Sequence, residues 1–290
     1  MTLSIVIVNW NTKPELQECL TSLQQAQFDE DWEPIVVDNA SSDGSAEMVR
    51  NLFPTCRLIA SNQNLGYAAG NNEGIAVSQG EFILTLNPDT VLPPDTLARS
   101  VQVLRQKPDF GVLGVQLIGL DGNTQRSVRG FPTPIGIFGA FTGLAKLFPG
   151  SAFDSYSLQS FNYNKSQPAH QPMGTFLLYR RSALDAIGAL PRPFDEQFPI
   201  FFNEVDLLKR LADAGFPCWY ESEIAIQHVH GAGTKKVRKA MIWESHRSLA
   251  RYLHKHWAFG ARKLAMPFIG ALLWVSALIR AKGFHVGFRP

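Results

Sequence analysis

Five short apolar runs, rich in β-branched residues, punctuate the first 120 residues: Leu3–Val8, Pro34–Val37, Arg57–Ala60, Phe82–Leu86 and Gly111–Leu117. Helix-like stretches separate them, at Pro14–Gln25, Ser45–Leu52, Tyr67–Ser78 and Pro94–Lys107. Strands that are apolar throughout are covered on both faces, and a helix between consecutive strands supplies the crossover that parallel pairing requires. The alternation therefore predicts an α/β fold, an open parallel sheet with helices on both faces. In such sheets ligands bind beyond the carboxyl ends of the strands. The residues just after each strand are where chemistry is expected.

Those positions are polar. Strand one is followed by "NWNT" (Asn9 to Thr12), strand two by "DNASSDGS" (Asp38 to Ser45), strand three by "SNQNLGYAAGNNEG" (Ser61 to Gly74) and strand four by "NPDT" (Asn87 to Thr90). Any one of these is more often a turn or a helix cap than a binding site. Four in succession, on what should be one edge, predict a polar cleft. The glycines do not cradle a phosphate: Gly66, Gly70 and Gly74 recur every four residues, so they share one helix face and permit close packing. Neither G-x-G-x-x-G nor G-x-x-x-x-G-K-[ST] occurs in this region, which argues against a dinucleotide oxidoreductase and a P-loop enzyme. A diphosphate bound in this cleft would then need a cation. Magnesium takes one or two protein carboxylates together with substrate phosphates, and Asp89 suits that role. Asn87-Pro88-Asp89 reads equally well as a plain turn on local grounds.

The chain has 290 residues, 45% of them hydrophobic and 18% charged, enough to bury a substantial core and far from a disordered composition. Cys19, Cys56 and Cys218 are widely spaced and odd in number, which fits a reducing cytosol better than a disulfide framework. The opening "MTLSIVIVNW" has no basic leader and reads as a first strand rather than a signal peptide. The net charge of +2 conceals an asymmetry: Lys235–Pro290 holds twelve Lys/Arg and one acid, Glu244, whereas residues 1–234 carry a net −9. An acidic body with a basic tail implies an anionic partner. The tail contains sixteen uncharged residues, Leu264–Ile279, flanked by Arg262, Lys263, Arg280 and Lys282. That length is marginal for a membrane span. An apolar centre with basic flanks suits an amphipathic helix lying at an anionic membrane surface, although a core helix packed on the body has the same composition.

In the second half, "FFNEVDLLKRLADAGF" predicts a helix over Glu204–Ala214, with Asn203 as N-cap and Gly215 ending it. Glu204 and Asp206 fall in its first turn, where acids are also favoured by the helix dipole. The aromatic stretch "FPIFF" at 198–202 places them beside a partly dry pocket in which a base can be tuned. In "QHVHGAGTKK", His228 and His230 would point the same way on a strand, as a metal pair or in a structural role. "RSVRGFPTP" offers Arg126 and Arg129 on a loop.

Taken in order, "SIVIVNWNT", "VVDNASSDGS", "NQNLGYAAGNNEGI", "LNPDT", "GTFLLYRRSAL", "FDEQFPIFFNEVDLLKRLADAGF" and "HVHGAGTKK" resemble family 2 glycosyltransferases of the GT-A fold, in particular their bacterial rhamnosyltransferase-like branch. The resemblance covers about residues 3–236. It implies a GT-A domain over 1–236, Rossmann-like with a mostly parallel central sheet and helices on both faces, divided into a nucleotide-sugar-binding half (1–120) and an acceptor and catalytic half (121–236), followed by a basic, apolar, amphipathic helical membrane-associating region over 237–290. Asp38 matches the aspartate that contacts the donor's base, and Asn64 and Gly66 lie in the stretch lining the nucleotide pocket. Asn87-Pro88-Asp89 matches the D-x-D motif, with Asn in place of its first acid, so Asp89 is left as principal metal ligand for Mg2+ or Mn2+. His228 is implied as a diphosphate or metal contact, with Thr234 and Lys235 nearby; Asn9 and Asn87 complete the expected nucleotide-sugar set. Glu204 occupies the position of the general base, with Asp206 as its alternate, and Arg126 and Arg129 fall where similar enzymes have a basic acceptor-side loop. The implied activity is inverting, metal-dependent, non-processive transfer from a nucleoside-diphosphate sugar, best matched by dTDP-L-rhamnose, to a saccharide or lipid-linked saccharide in cell-envelope synthesis. A UDP- or GDP-sugar donor, or a non-catalytic nucleotide-sugar-binding protein, is the alternative. A processive synthase is disfavoured because no Q-x-x-R-W motif occurs. Without an aromatic stacking platform, nucleic acid is not expected as a partner. The implied location is the cytoplasmic face of the plasma membrane.

Overall fold

The computed structural model describes residues 1–229 and 238–282. His230, Thr234 and Lys235, singled out above, lie outside the described residues. The first half follows the expected alternation: β1 (Leu3–Asn9), α1 (Lys13–Gln24), β2 (Trp32–Asp38), α2 (Ser45–Leu52), β3 (Arg57–Ala60), α3 (Gly66–Val77), β4 (Phe82–Leu86), β5 (Thr90–Val91), α4 (Thr96–Gln106) and β6 (Val112–Ile118). Then come β7 (Val128–Arg129), α5 (Pro134–Thr142), α6 (Leu144–Leu147), β8 (Gln167–Ala169), β9 (Gln171–Pro172), β10 (Phe176–Arg180), α7 (Arg181–Ala186), α8 (Asn203–Asp213), β11 (Cys218–His228), α9 (Arg238–His256) and α10 (Met266–Ala281).

The main sheet runs β3-β2-β1-β4-β10-β6-β11-β5, with β8 added beside β11. Pairing is parallel from β3 to β4 and again between β6 and β11. The strand between the two parallel blocks, β10, is antiparallel to both β4 and β6. This α/β arrangement, with helices on both faces, is the predicted class; the antiparallel centre strand arises because β10 enters from the second half of the chain.

Period-two alternation in β1 divides the core. Leu3, Ile5 and Ile7 point into a cluster with α1, α2 and α4, while Val6 points into a second cluster with α3, α7 and α8. The four-residue glycine spacing of α3 has the expected use: a Cβ on Gly70 would lie 2.8 Å from Val8, and one on Gly74 would collide with Val6. The helix therefore sits close on β1 and carries the Asn64–Gly66 loop to the sheet edge. All three cysteines are free.

The tail divides into two parts. Leu249, Tyr252 and Leu253 of α9 are fully buried, spaced to face one way, and pack with Phe202 and Val205 of α8 and Ile137 of α5. One face of α9 is therefore part of the core of the body. Helix α10 packs on α9 through Leu273 and Ala277, and Ser276 bonds His246 Nε2 at 3.0 Å. Its other faces expose Leu264 just ahead of it, Phe268, Leu272, Trp274 and Val275.

Candidate active site

The cleft begins at the ends of β1 and β2. Register places Asn9 beside Asp38, and both are buried. Asn9 Nδ2 donates to Asp38 Oδ1 (3.0 Å) and to Ser41 Oγ (3.1 Å), while its Oδ1 accepts from the Thr12 hydroxyl (2.7 Å). The Ser41 N–H donates to Asp38 Oδ2 at 3.0 Å. Each Asp38 oxygen thus receives one bond from the protein. A carboxylate oxygen has two lone pairs, so Asp38 is oriented without being exhausted as an acceptor. Asn9 acts on Asp38 rather than standing alone.

Asn64 is exposed and caps its own loop, accepting from the Gly66 N–H at 2.9 Å. Gly66 has a positive φ (84°), and a Cβ there would meet the Pro199 carbonyl oxygen at 2.9 Å, so this position needs glycine. Pro199 in turn accepts from the Tyr67 N–H. The nucleotide-side loop and the 198–202 aromatic stretch are therefore fastened together. Asn39, which the strand-end reasoning passed over, ties the same loop to β2: its Nδ2 donates to the Gly66 carbonyl (2.9 Å) and its Oδ1 accepts from the Leu65 N–H (3.2 Å).

Pro88 and Asp89 do form a turn, between β4 and β5, with the Asp89 side chain buried. The Thr90 hydroxyl donates to the Asn87 carbonyl at 2.8 Å, and the Val229 N–H donates to the Asp89 carbonyl at 2.9 Å. Pairing of β5 with β11 sets His228 opposite Thr90. As a result His228 Nε2 lies 3.6 Å from Asp89 Oδ1, with both side chains buried. Two ligands of one cation with bonds of about 2.1 Å stand roughly 3–4 Å apart, so the donors and their spacing fit a divalent ion. Among the described residues no group of three or more His, Cys, Asp or Glu could hold a metal. Asp89 and His228 are the pair that could do so together with substrate phosphates.

Glu204 begins α8. The helix is entered through Phe202, whose φ of 68° is unusual for an aromatic residue and stores local strain. The expected cap is corrected here: Phe202, not Asn203, holds the N-cap position, and Asn203 is buried with its Nδ2 donating back to the Ile200 carbonyl at 2.8 Å. Burial pushes the Glu204 carboxyl up to about 7. A Cβ on Gly174 would lie 3.2 Å from Glu204 Cγ, so the glycine opening "GTFLLYRRSAL" makes room for this side chain. The Tyr67 hydroxyl faces Asn87 Oδ1 (3.0 Å) and the Gly174 carbonyl (3.2 Å). Burial, followed by the charges of Glu204 and Asp89, raises its pKa. Tyr67 therefore stands between the two carboxylates. Sequence reasoning missed its role because nothing local distinguishes an aromatic in the first turn of a helix.

Asp206 has a different environment. Its oxygens are bound by Arg210 Nε (2.9 Å), Lys255 Nζ (2.7 Å) and His256 Nε2 (2.7 Å). Burial alone would raise its pKa, but hydrogen bonds from His256 and Lys255 and the nearby charges bring it down to about 2. A carboxylate held this low is a weaker base than Glu204, whose carboxyl is pushed the other way. Arg129 lies in β7 with its guanidinium 5.5 Å from the centre of the Tyr156 ring, and Arg126 donates to Gln159 Oε1 at 2.9 Å. Tyr156 also feels the charge of Glu204, so Arg129 flanks the Glu204 side of the cleft.

Solved structures share this architecture. A crystal structure of S. aureus TarS residues 1–349 is similar with a TM-score of 0.58 at 18% identity, over 97% of this chain and 81% of that one. A mannosyltransferase from Pyrobaculum calidifontis, solved with GDP-Man and Mn2+, gives 0.61 at 17%, over 97% and 74%. The likeness to these structures shows a shared fold, the GT-A arrangement expected from the sequence. Residues 4–188 match the family model described as glycosyl transferase family 2, and the chain belongs to that family. An N-acetylglucosaminyl-diphospho-decaprenol L-rhamnosyltransferase of Mycobacterium tuberculosis is 26% identical over 273 residues, covering 88% of this chain and 86% of its own. An O-antigen biosynthesis protein of Myxococcus xanthus is 25% identical over 84% of this chain, which spans 17% of it.

Proposed function

We propose that this glycosyltransferase moves a sugar, L-rhamnose from dTDP-L-rhamnose, onto a hydroxyl of a lipid-linked saccharide in cell-envelope synthesis, in one inverting, non-processive displacement. The observation that carries the chemistry is a pair of contrasting groups linked through Tyr67: a glutamate at the start of α8 pushed up to about 7, and the Asp89 carboxylate beside the His228 imidazole, with the charges of Glu204 and Asp89 both felt at the Tyr67 hydroxyl. The choice of sugar and acceptor is supported by the near full-length likeness to the mycobacterial rhamnosyltransferase.

Asp38, oriented by Asn9 and Ser41, receives the base of the donor. The Asn64–Gly66 loop and Asn87 line the nucleotide pocket. Asp89 and His228 would hold Mg2+ or Mn2+, which when bound neutralises the charge that grows on the leaving diphosphate. Glu204, ionised, accepts the proton of the acceptor hydroxyl as that oxygen bonds to the anomeric carbon. The anomeric carbon–phosphate oxygen bond breaks with its electron pair, and nucleoside diphosphate leaves from the opposite face. A pKa near the working pH is what general-base catalysis favours, and such a base contributes roughly 10²–10⁴-fold. Holding donor and acceptor together contributes about 7–11 kcal/mol more in well-oriented cases. Exposed apolar residues of α10 with basic flanks favour a place on the cytoplasmic leaflet, where a lipid-linked acceptor resides.

A donor panel tests the proposal. Nucleoside diphosphate release is measured with dTDP-, UDP- and GDP-sugars and a prenyl-diphosphate-linked saccharide, with and without Mg2+ or Mn2+. Turnover is expected with dTDP-L-rhamnose and a divalent cation. Turnover that survives exhaustive chelation overturns the metal reading, and turnover with another donor alone overturns rhamnose.

A further inference from the structure

The loop after β6 returns on itself. Gly122 takes a positive φ of 76°, Asp121 caps the turn by accepting from the Asn123 N–H, and the Gln125 N–H bonds back to the Leu117 carbonyl at 2.8 Å. Because β6 lies parallel to β11, with Ile118 opposite Gln227, this return sets Gln125 beside His228. The contact has two points. Gln125 Nε2 donates to the His228 main-chain carbonyl at 3.0 Å, and Gln125 Oε1 lies 2.7 Å from His228 Nδ1.

The carbonyl can only accept, so it selects the amide's NH2 end. That choice turns Oε1 toward the ring. Oε1 can only accept, so Nδ1 must carry the hydrogen. In a neutral imidazole with Nδ1–H, the lone pair sits on Nε2, the atom 3.6 Å from Asp89 Oδ1. The main chain of His228 thus fixes the tautomer of its own ring through one glutamine. We propose that Gln125 is a positioning residue that locks His228 as the Nδ1–H tautomer, presenting the Nε2 electron pair beside Asp89 to a divalent cation. The inference rests on the metal reading of Asp89 and His228 given above. It assigns Gln125 a second-layer role, and replacing such partners typically costs 10–100-fold in metal affinity.

Two readouts test it on the full-length protein. Nitrogen-15 NMR of the histidine rings, without metal, reports the tautomer, with the His228 signals assigned through His228→Gln. Titration with Mn2+ in the presence of saturating dTDP, against a blank of Mn2+ and dTDP without protein, followed by electron paramagnetic resonance, reports affinity. The wild type is expected to show protonated Nδ1 at His228 and to bind Mn2+. Gln125→Met, close in size but unable to hold the ring, should lose the single tautomer and bind Mn2+ at least 10-fold more weakly. Gln125→Glu, which keeps an acceptor for Nδ1–H, should stay within a few fold of wild type. Unchanged signals from the other histidines in both variants establish that the fold persists. Protonated Nε2 in the wild type, or equal Mn2+ affinity in Gln125→Met, overturns the proposal. A wild type that takes up no Mn2+ fails the metal reading itself, and the role of Gln125 with it; the two failures are distinct.

Discussion

At the scale of the residue, Glu204 combines two properties that pull against each other. Burial raises its pKa from the usual carboxylate range to about 7, so the folded state binds a proton more tightly than the unfolded chain does. Stability on this account is highest below about pH 4.5, falls as pH rises toward 7, and then levels off. Glu204→Gln removes the buried charge and should be more stable than wild type at pH 8, by roughly 1–3 kcal/mol, with no gain below pH 4.5. The same substitution should lower turnover by about 10²–10⁴-fold while leaving donor binding largely intact. Chemical denaturation at the two pH values and calorimetric donor titration check both halves. Wild-type turnover should rise with pH through a midpoint near 7 and lose that limb in the variant. Gly174 gives a finer probe. An alanine Cβ would press on Glu204 Cγ at 3.2 Å, so Gly174→Ala should lower kcat, by about 10-fold if the base shifts by a few tenths of an ångström, with little change in donor KM. Asp38, Asp89 and Glu204 were conspicuous in sequence because each ends a strand or begins a helix. Tyr67, Gly174 and Gln125 were not, since each acts only through a partner far away in the chain.

At the scale of the element, the parallel half was legible and the rest was not, for one reason. Strands β1 to β4 and their helices are set by consecutive local patterns, and their observed ends fall within a residue or two of the apolar runs. Strand β10 is short, its place between β4 and β6 is set by pairing across more than sixty residues, and nothing in "FLLYR" states its direction. The packing of α9 on the body was not legible because basic composition masked an apolar stripe at 249, 252 and 253. Its attachment to α8 is electrostatic as well as apolar: Lys255 and His256 both reach Asp206, two residues after the proposed base. The depressed pKa of Asp206 contributes stability that is present above about pH 4 and lost as pH falls through 2. Asp206→Asn leaves Arg210, Lys255 and His256, all partly exposed, without their shared carboxylate and should cost roughly 1–3 kcal/mol. Urea denaturation at pH 7 measures it. Substitution of the exposed Lys239 on the same helix should cost almost nothing.

At the scale of the whole molecule, one question is how an acidic body would reach the lipid-linked acceptor proposed for it. The described part of the tail divides in two: α9 packs into the body through one face, while the stretch Gly260–Ala281 is long and apolar enough to cross a bilayer and is little buried. Leu264, Phe268 and Trp274 are 85%, 68% and 58% exposed, and between Glu244 and Lys282 the sequence has no acid. Apolar side chains standing in water beside Arg262, Lys263, Arg280 and Lys282 suit a surface that is greasy beneath and anionic above. Removing the tail from residue 235 onward would not test this, because it would take Leu249, Tyr252 and Leu253 out of the core. Substitution confined to the exposed face does. Phe268→Ser with Leu272→Ser should abolish sedimentation with phosphatidylglycerol vesicles and leave turnover on a soluble acceptor analogue unchanged. Trp274 supplies a direct reporter: its emission should move to shorter wavelength on vesicle addition, the shift disappearing in Trp274→Phe and diminishing as salt rises, since about 1 kcal/mol per basic residue is electrostatic and screened. A salt-insensitive shift would mean that apolar insertion alone holds the helix, and absence of any shift would detach α10 from the membrane altogether.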